Sequence, residues 1–185
     1  MTKSSTIVNL ILMEEAAITS QLDGEIKSLL VVCFPEEQTA FLCSRHWHGS
    51  APACTLVHRR DKSLVGHVGI VLRTVQWNGR NIPAAGIQNL AVAPSMRGTG
   101  LSRTLMMEAM AEAGRRGVPF GLLFCVPGLE RFYASLGWQC CNVPVTMRDE
   151  KGLPAPIPAR NIAMALSLGP APIPKGPLDL MGRDW

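Results

Sequence analysis

The chain has 185 residues, a formal net charge of +4, 47% hydrophobic and 17% charged residues. That length supports one domain, 1–185, with its own core, and the composition is that of a globular chain rather than a disordered or fibrous one. The basic residues are scattered and no apolar run approaches the about 20 residues of a membrane span, so neither nucleic acid nor membrane is expected as a partner.

Six cysteines form no C-x-x-C pair, and adjacent Cys140-Cys141 is a poor metal pattern. Residues 7–12 are too short for a leader, contain Asn9 and run into Glu14-Glu15. The expectation is a cytoplasmic protein with reduced thiols.

In chain order, residues 6–12 read as a first strand and residues 25–33 as a helix, with Ile26, Leu29, Leu30 and Cys33 at helical spacing and Pro35 as a stop. Residues 41–52 show no clear period. Residues 53–58 and 64–76 read as strands around the polar turn Arg59-Arg60-Asp61-Lys62. Asn78-Gly79 is a strong hairpin signal, because both residues tolerate positive φ. A strand over 87–92 follows. From 101 to 116 the positions Leu101, Leu105, Met106, Ala109, Met110 and Ala113 form one helical face, closed by Gly117. Residues 118–125 are continuously apolar, as in a strand buried on both faces. A short helix over 129–136, a strand from Trp138 and a last strand over 161–168 complete the order β-α-β-β-β-α-β-α-β-β, a mixed α/β layer fold. Seven of the 14 prolines lie between Pro154 and Pro177, which predicts an extended covering arm over 154–185.

One local chemistry stands out. A strand ends at Pro94, a short loop carries Arg97-Gly98-Thr99-Gly100, and a helix starts at Leu101. Glycines allow close backbone approach, and a helix N-terminus offers free N–H groups and partial positive charge. Arg97 adds a planar fork suited to phosphate. The segment is built to bind phosphate or pyrophosphate.

Val92-x-x-x-x-Arg97-Gly98-x-Gly100 resembles the acetyl-CoA signature of the GNAT acyltransferases. The block Arg131-Phe132-Tyr133-Ala134-Ser135-Leu136-Gly137-Trp138 matches that family's late helix and following strand. Together the blocks cover roughly 64–140. The resemblance implies a bent, mostly antiparallel mixed sheet that splays between the strands at 87–92 and 120–125. It implies acetyl-CoA held by Leu90, Ala91 and Val92 along the pantetheine arm and by Arg97, Gly98, Thr99, Gly100, Leu101 and Ser102 around the pyrophosphate. It also implies Tyr133 as general acid near the sulfur. The similarity is closest to the aminoglycoside 2′-N-acetyltransferase branch, through "RxYASxGW" and the terminal Asp184-Trp185, which there reach the substrate. Where the branch carries a glutamate base, this chain has Gln88, which can hold a water but cannot accept the proton.

Acetyl transfer needs a neutral amine, a polarised carbonyl and a proton for the leaving thiolate. Backbone N–H groups at the end of the 87–92 strand serve the carbonyl. Tyr133, the only tyrosine, stays protonated at neutral pH; the competing reading is a core aromatic beside Trp138. Gln88 is read as a strand residue with a structural or substrate-contact role. His46-Trp47-His48 invites a metal, yet no third ligand is nearby; the alternative is that Trp47 and its neighbours line the acceptor pocket with Trp185 and Asp184. The expected function is acetyl-CoA-dependent N-acetylation of a small primary amine, with an amino sugar as its specific version. The alternatives are a peptide or protein acceptor and a non-catalytic acyl-CoA sensor. The exposed sheet edges allow a homodimer.

Overall fold

A computed structural model describes residues 10–185. Its strands are β1 (Leu10–Glu14), β2 (Cys54–Arg60), β3 (Ser63–Trp77), β4 (Arg80–Val92), β5 (Phe120–Cys125), β6 (Gln139–Cys140), β7 (Val145–Arg148), β8 (Pro154–Pro156), β9 (Ile162–Ser167) and β10 (Leu178–Asp179). Its helices are α1 (Ser20–Cys33), α2 (Gln38–Cys43), α3 (Leu101–Arg115) and α4 (Glu130–Ala134). The start of the predicted first strand, 6–9, lies outside the described residues.

One mixed sheet runs β6-β9-β5-β4-β3-β10-β7-β8, with β2 and then β1 beside the first half of β3. The β3–β4 hairpin is its spine. Asn78 (φ 49°) and Gly79 (φ 75°) form the two-residue loop, with Trp77 facing Arg80; this left-handed pair matches the twist of the strands it joins. The β2–β3 turn is equally tight. Asp61 and Lys62 carry it at φ 50° and 69°, so Arg59 and Arg60, expected in the turn, belong to β2.

The strand period of two assigns the faces. On β2, Leu56 packs into the core under α3 and its neighbour Val57 into the core under α1 and α2. The α3 stripe Leu105, Met106, Ala109 and Ala113 is buried as its spacing requires. α1 starts at Ser20 rather than the expected Glu25, because the Thr19 hydroxyl caps it by accepting from the Leu22 N–H at 3.2 Å.

β4 and β5 are parallel neighbours for only three pairs, Ala84–Phe120 to Gly86–Leu122, and then diverge. The expected splay is therefore present between these two strands. The proline-rich segment corrects the sequence expectation. It is not only a cover around the expected strand, β9: it also supplies β8 and β10, and β10 is wedged between β3 and β7. The strand over 162–167 is thus not the last. Among the described residues no helix is long and apolar enough to cross a membrane.

Candidate active site

The divergence of β4 from β5 is accompanied by a bulge. The β3–β4 register passes from His67–Ala91 to Gly69–Gln88, so Asn89 and Leu90 together face Val68. Asn89 sits at φ 53°, a conformation that asparagine tolerates better than most residues. Its carbonyl accepts from His67 Nδ1 at 2.8 Å, and its Nδ2 donates to the Arg45 carbonyl at 2.9 Å. A carbonyl only accepts, so His67 carries its proton on Nδ1. Burial pushes the His67 pKa down to about 4, the bond to Asn89 opposing it, so the ring is neutral. The bulge releases Asn89 and Leu90 from the ladder at the edge of the splay.

After β4 a single turn of 3₁₀ helix, Pro94–Met96, leads to Gly98 (φ 78°) and Gly100 (φ 87°). An added Cβ at either glycine meets nothing within 4 Å, so it is the left-handed backbone that requires glycine here. Gly100 caps α3 without a side chain, and the first intrahelical bond is Thr104 N–H to Gly100 O. The N–H groups of Leu101, Ser102 and Arg103 therefore have no intrahelical partner. A cleft of about 360 Å³ lies over this terminus. Leu90, Ala91, Val92, Arg97, Gly98, Gly100, Leu101 and Ser102 all line it; Thr99 does not, and its hydroxyl turns back to Met96 O at 2.7 Å. Sequence reading missed the facing wall, Cys33 and Phe34 at the end of α1. The Cys33 thiol donates to Val92 O at 3.4 Å; burial raises its pKa and nearby Arg97 opposes that.

Tyr133, on α4, lines this cleft and a second one of about 410 Å³ that fills the splay. Its ring stands edge-on to Phe132 and Trp138. Burial, with a smaller contribution from Cys125, pushes its pKa well above the phenol's ordinary value, so it stays protonated.

The floor of the second cleft is Trp185. Its Nε1 donates to Leu122 O at 3.4 Å and its ring packs against Phe124. A Cβ on Gly86 would come within 2.1 Å of the indole, so glycine there makes room for it where the β4–β5 ladder ends. Arg73 lies over the indole at 5.0 Å and donates to Arg183 O at 2.6 Å. Trp47 lines the same cleft.

Asp184 is buried beside the cleft but does not line it. Its carboxylate pairs with His48 Nδ1, and its carbonyl accepts from Ser50 Oγ at 2.8 Å. Gln88 lines neither cleft. It is 2% exposed, donates to Ser50 O at 2.7 Å and accepts from Trp47 N–H at 3.2 Å. The amide ties the 44–50 loop to β4, and so positions Trp47. His46 pairs with Glu15 at 3.0 Å, and among the described residues no cluster of His, Cys, Asp and Glu could hold a metal.

A model of the acetyltransferase (GNAT) domain matches residues 18–141. Nodulation protein A of Bradyrhizobium sp. (strain ANU 289) is 28% identical over 95 residues, which are 50% of this chain and 44% of that protein. The match thus spans under half the length of that curated relative. A solved GNAT family N-acetyltransferase, YhbS of Escherichia coli in complex with CoA, superposes with a TM-score of 0.66 at 18% identity, covering 97% of this chain and 93% of that one. A GNAT family acetyltransferase of Brucella melitensis in complex with acetyl-CoA gives 0.60 at 19% identity, covering 92% and 94%. At these identities the two structures share the fold.

Proposed function

The chain belongs to the GNAT acetyltransferase family, and on that premise we propose that it moves the acetyl group of acetyl-CoA to the primary amine of a small molecule, by direct attack in a ternary complex. The observation that carries this reading is that the two clefts meet: both are lined by Leu90 and Tyr133, one running to the α3 N-terminus and the other into the splay.

The donor half fits a pyrophosphate on its own geometry. Two left-handed glycines bring the backbone up to the cleft, three N–H groups of α3 are without intrahelical partners, and the Arg97 fork lies alongside. When bound, acetyl-CoA supplies the acyl group as an activated thioester. The backbone at Asn89 and Leu90, freed from the ladder, is placed to polarise a carbonyl at the junction. Tyr133, held protonated by burial, keeps a proton available for a departing thiolate. Gln88 acts through Trp47, as a positioning residue.

An amino-sugar acceptor, the version that the resemblance implies, draws on free carboxylates around Trp185. Asp184 is committed to His48, and Asp179 accepts two bonds from Arg148 at 2.9 Å each. Neither aspartate of the tail is therefore free to meet that narrower version.

The test is CoA-thiol release from acetyl-CoA across alkylamines, arylalkylamines, polyamines, aminoglycosides, amino acids and short peptides, with Tyr133→Phe beside the wild type. Release with a small amine, reduced at least tenfold in the variant, is the expected result. Release with peptides alone would move the reading to a protein acceptor, and acetyl-CoA binding without release to a sensor.

A further inference from the structure

The acceptor cleft has a chemistry of its own. Its walls are mostly carbon: Trp47, Ile87, Leu123, Phe124 and Trp185. Among the lining side chains, charge is confined to Glu36, Glu37 and Arg160. Glu37 and Arg160 neutralise each other at 3.0 Å, one from the turn after α1 and the other from the segment before β9. Glu36 is exposed and makes no ion pair with a described residue. Its lining side chains therefore offer one uncommitted negative charge.

Aromatic walls could also receive cations through their faces. Here both indoles already have close neighbours. Arg73 stands over the Trp185 indole at 5.0 Å and Phe124 packs on it at 5.5 Å. Trp47 is packed by His48 at 4.5 Å and Phe41 at 5.6 Å. Trp185 thus already carries one cation, which disfavours a second at the same ring.

We propose that the acceptor is a monoamine on an uncharged apolar body, aryl or alkyl, rather than a polyamine or amino sugar. This rests on the acetyl-transfer reading above. Glu36 draws the ammonium form to the mouth. Moving inward from there, the amine loses its hydration, which favours the neutral form that can attack. The apolar body then replaces water against Ile87, Leu123 and Phe124. A polyamine or aminoglycoside would bring further charges onto the same carbon surface, where neither Asp179 nor Asp184 is free to meet them, and their desolvation would be poorly compensated.

Two readouts test this. The first is kcat/KM for phenethylamine and hexylamine against spermidine and an aminoglycoside. The second is calorimetric binding of the same four amines to the protein–CoA complex, which needs no turnover. We expect the monoamines to exceed the polycations at least tenfold in both, and Glu36→Gln to lower monoamine kcat/KM two- to fivefold with the ratio preserved. Equal or better performance by the polycations overturns the proposal, as does the binding of none of the four. Preferential monoamine binding without any CoA release would uphold the acceptor class while overturning the transfer reading.

Discussion

The strongest consequence of the site's construction is acid sensitivity at one residue. His67 is fully buried and neutral, with its pKa lowered from the ordinary 6.5 to about 4 by burial. The charged groups nearest it are Arg45, which also disfavours the imidazolium, and Glu15, which favours it. Because the folded value lies below the unfolded one, the unfolded chain binds the proton more tightly. The contribution is fully present above pH 6.5 and is lost as pH falls toward 4. At 1.36 kcal/mol for each pH unit between the two values, the loss is on the order of 1 kcal/mol at pH 5.5 and about 3 kcal/mol at pH 4. His67→Asn keeps a donor where Nδ1 stands and removes the titration. Urea unfolding of both proteins from pH 7.5 to 4 isolates this residue, since the carboxylates titrate equally in each. The wild type should lose about 3 kcal/mol more than the variant over that range. The bond to the Asn89 carbonyl survives protonation, so the loss comes from burying a charged ring rather than from breaking that contact. Parallel stability curves would refute the reasoning.

Three further outcomes follow from the geometry. Gly86→Ala places a Cβ within 2.1 Å of the Trp185 indole, so an overpacking cost of about 1–3 kcal/mol is expected, seen as a lower Tm and a red-shifted tryptophan emission; an unchanged Tm would mean that the tail does not dock there. Arg97→Ala should weaken acetyl-CoA by roughly 10- to 100-fold in calorimetry, the loss of a charged hydrogen bond worth about 1.5–3 kcal/mol, with the acceptor KM unaffected. Tyr133→Phe should lower kcat by at least tenfold at unchanged acetyl-CoA affinity, and the wild type should show no loss of activity from tyrosine ionisation below about pH 10, since burial moves the phenol upward.

What the sequence disclosed was local. Asn78-Gly79 dictates its hairpin by conformational tolerance, the α3 helix shows in its stripe, and Gly98 and Gly100 mark the tight turn before α3. What it concealed depends on register. Cys33 and Phe34 reach the donor cleft only because α1 crosses β4, and His67 meets Asn89 only through a slip in the ladder. A signal for the bulge was nonetheless present: Asn89 follows Gln88 within a mostly apolar run and is a residue that accepts left-handed backbone. The start of α1 was hidden by Gly24, which lowers helical preference over the first turns and shifted the expected start beyond the Thr19 cap.

The acceptor wall is a product of three segments far apart in the chain, and the 44–50 loop joins them. Asn89 at the bulge donates to Arg45 O, Gln88 holds Ser50 O and Trp47 N–H, and Asp184 in the tail is gripped through His48 and Ser50. Arg45 and His46 anchor the loop in turn on Glu15 after β1. Bulge, loop and tail are thus one hydrogen-bonded unit, buried enough that losing one partner leaves others unsatisfied. The donor cleft is built otherwise, on the backbone of one loop and one helix end. Donor binding and acceptor binding should therefore fail separately. Changes at Arg97 or Gly100 should act on the first alone, whereas a change at Ser50 or Gln88 should move Trp47 and Trp185 together and alter acceptor selectivity without touching the cleft at the α3 N-terminus.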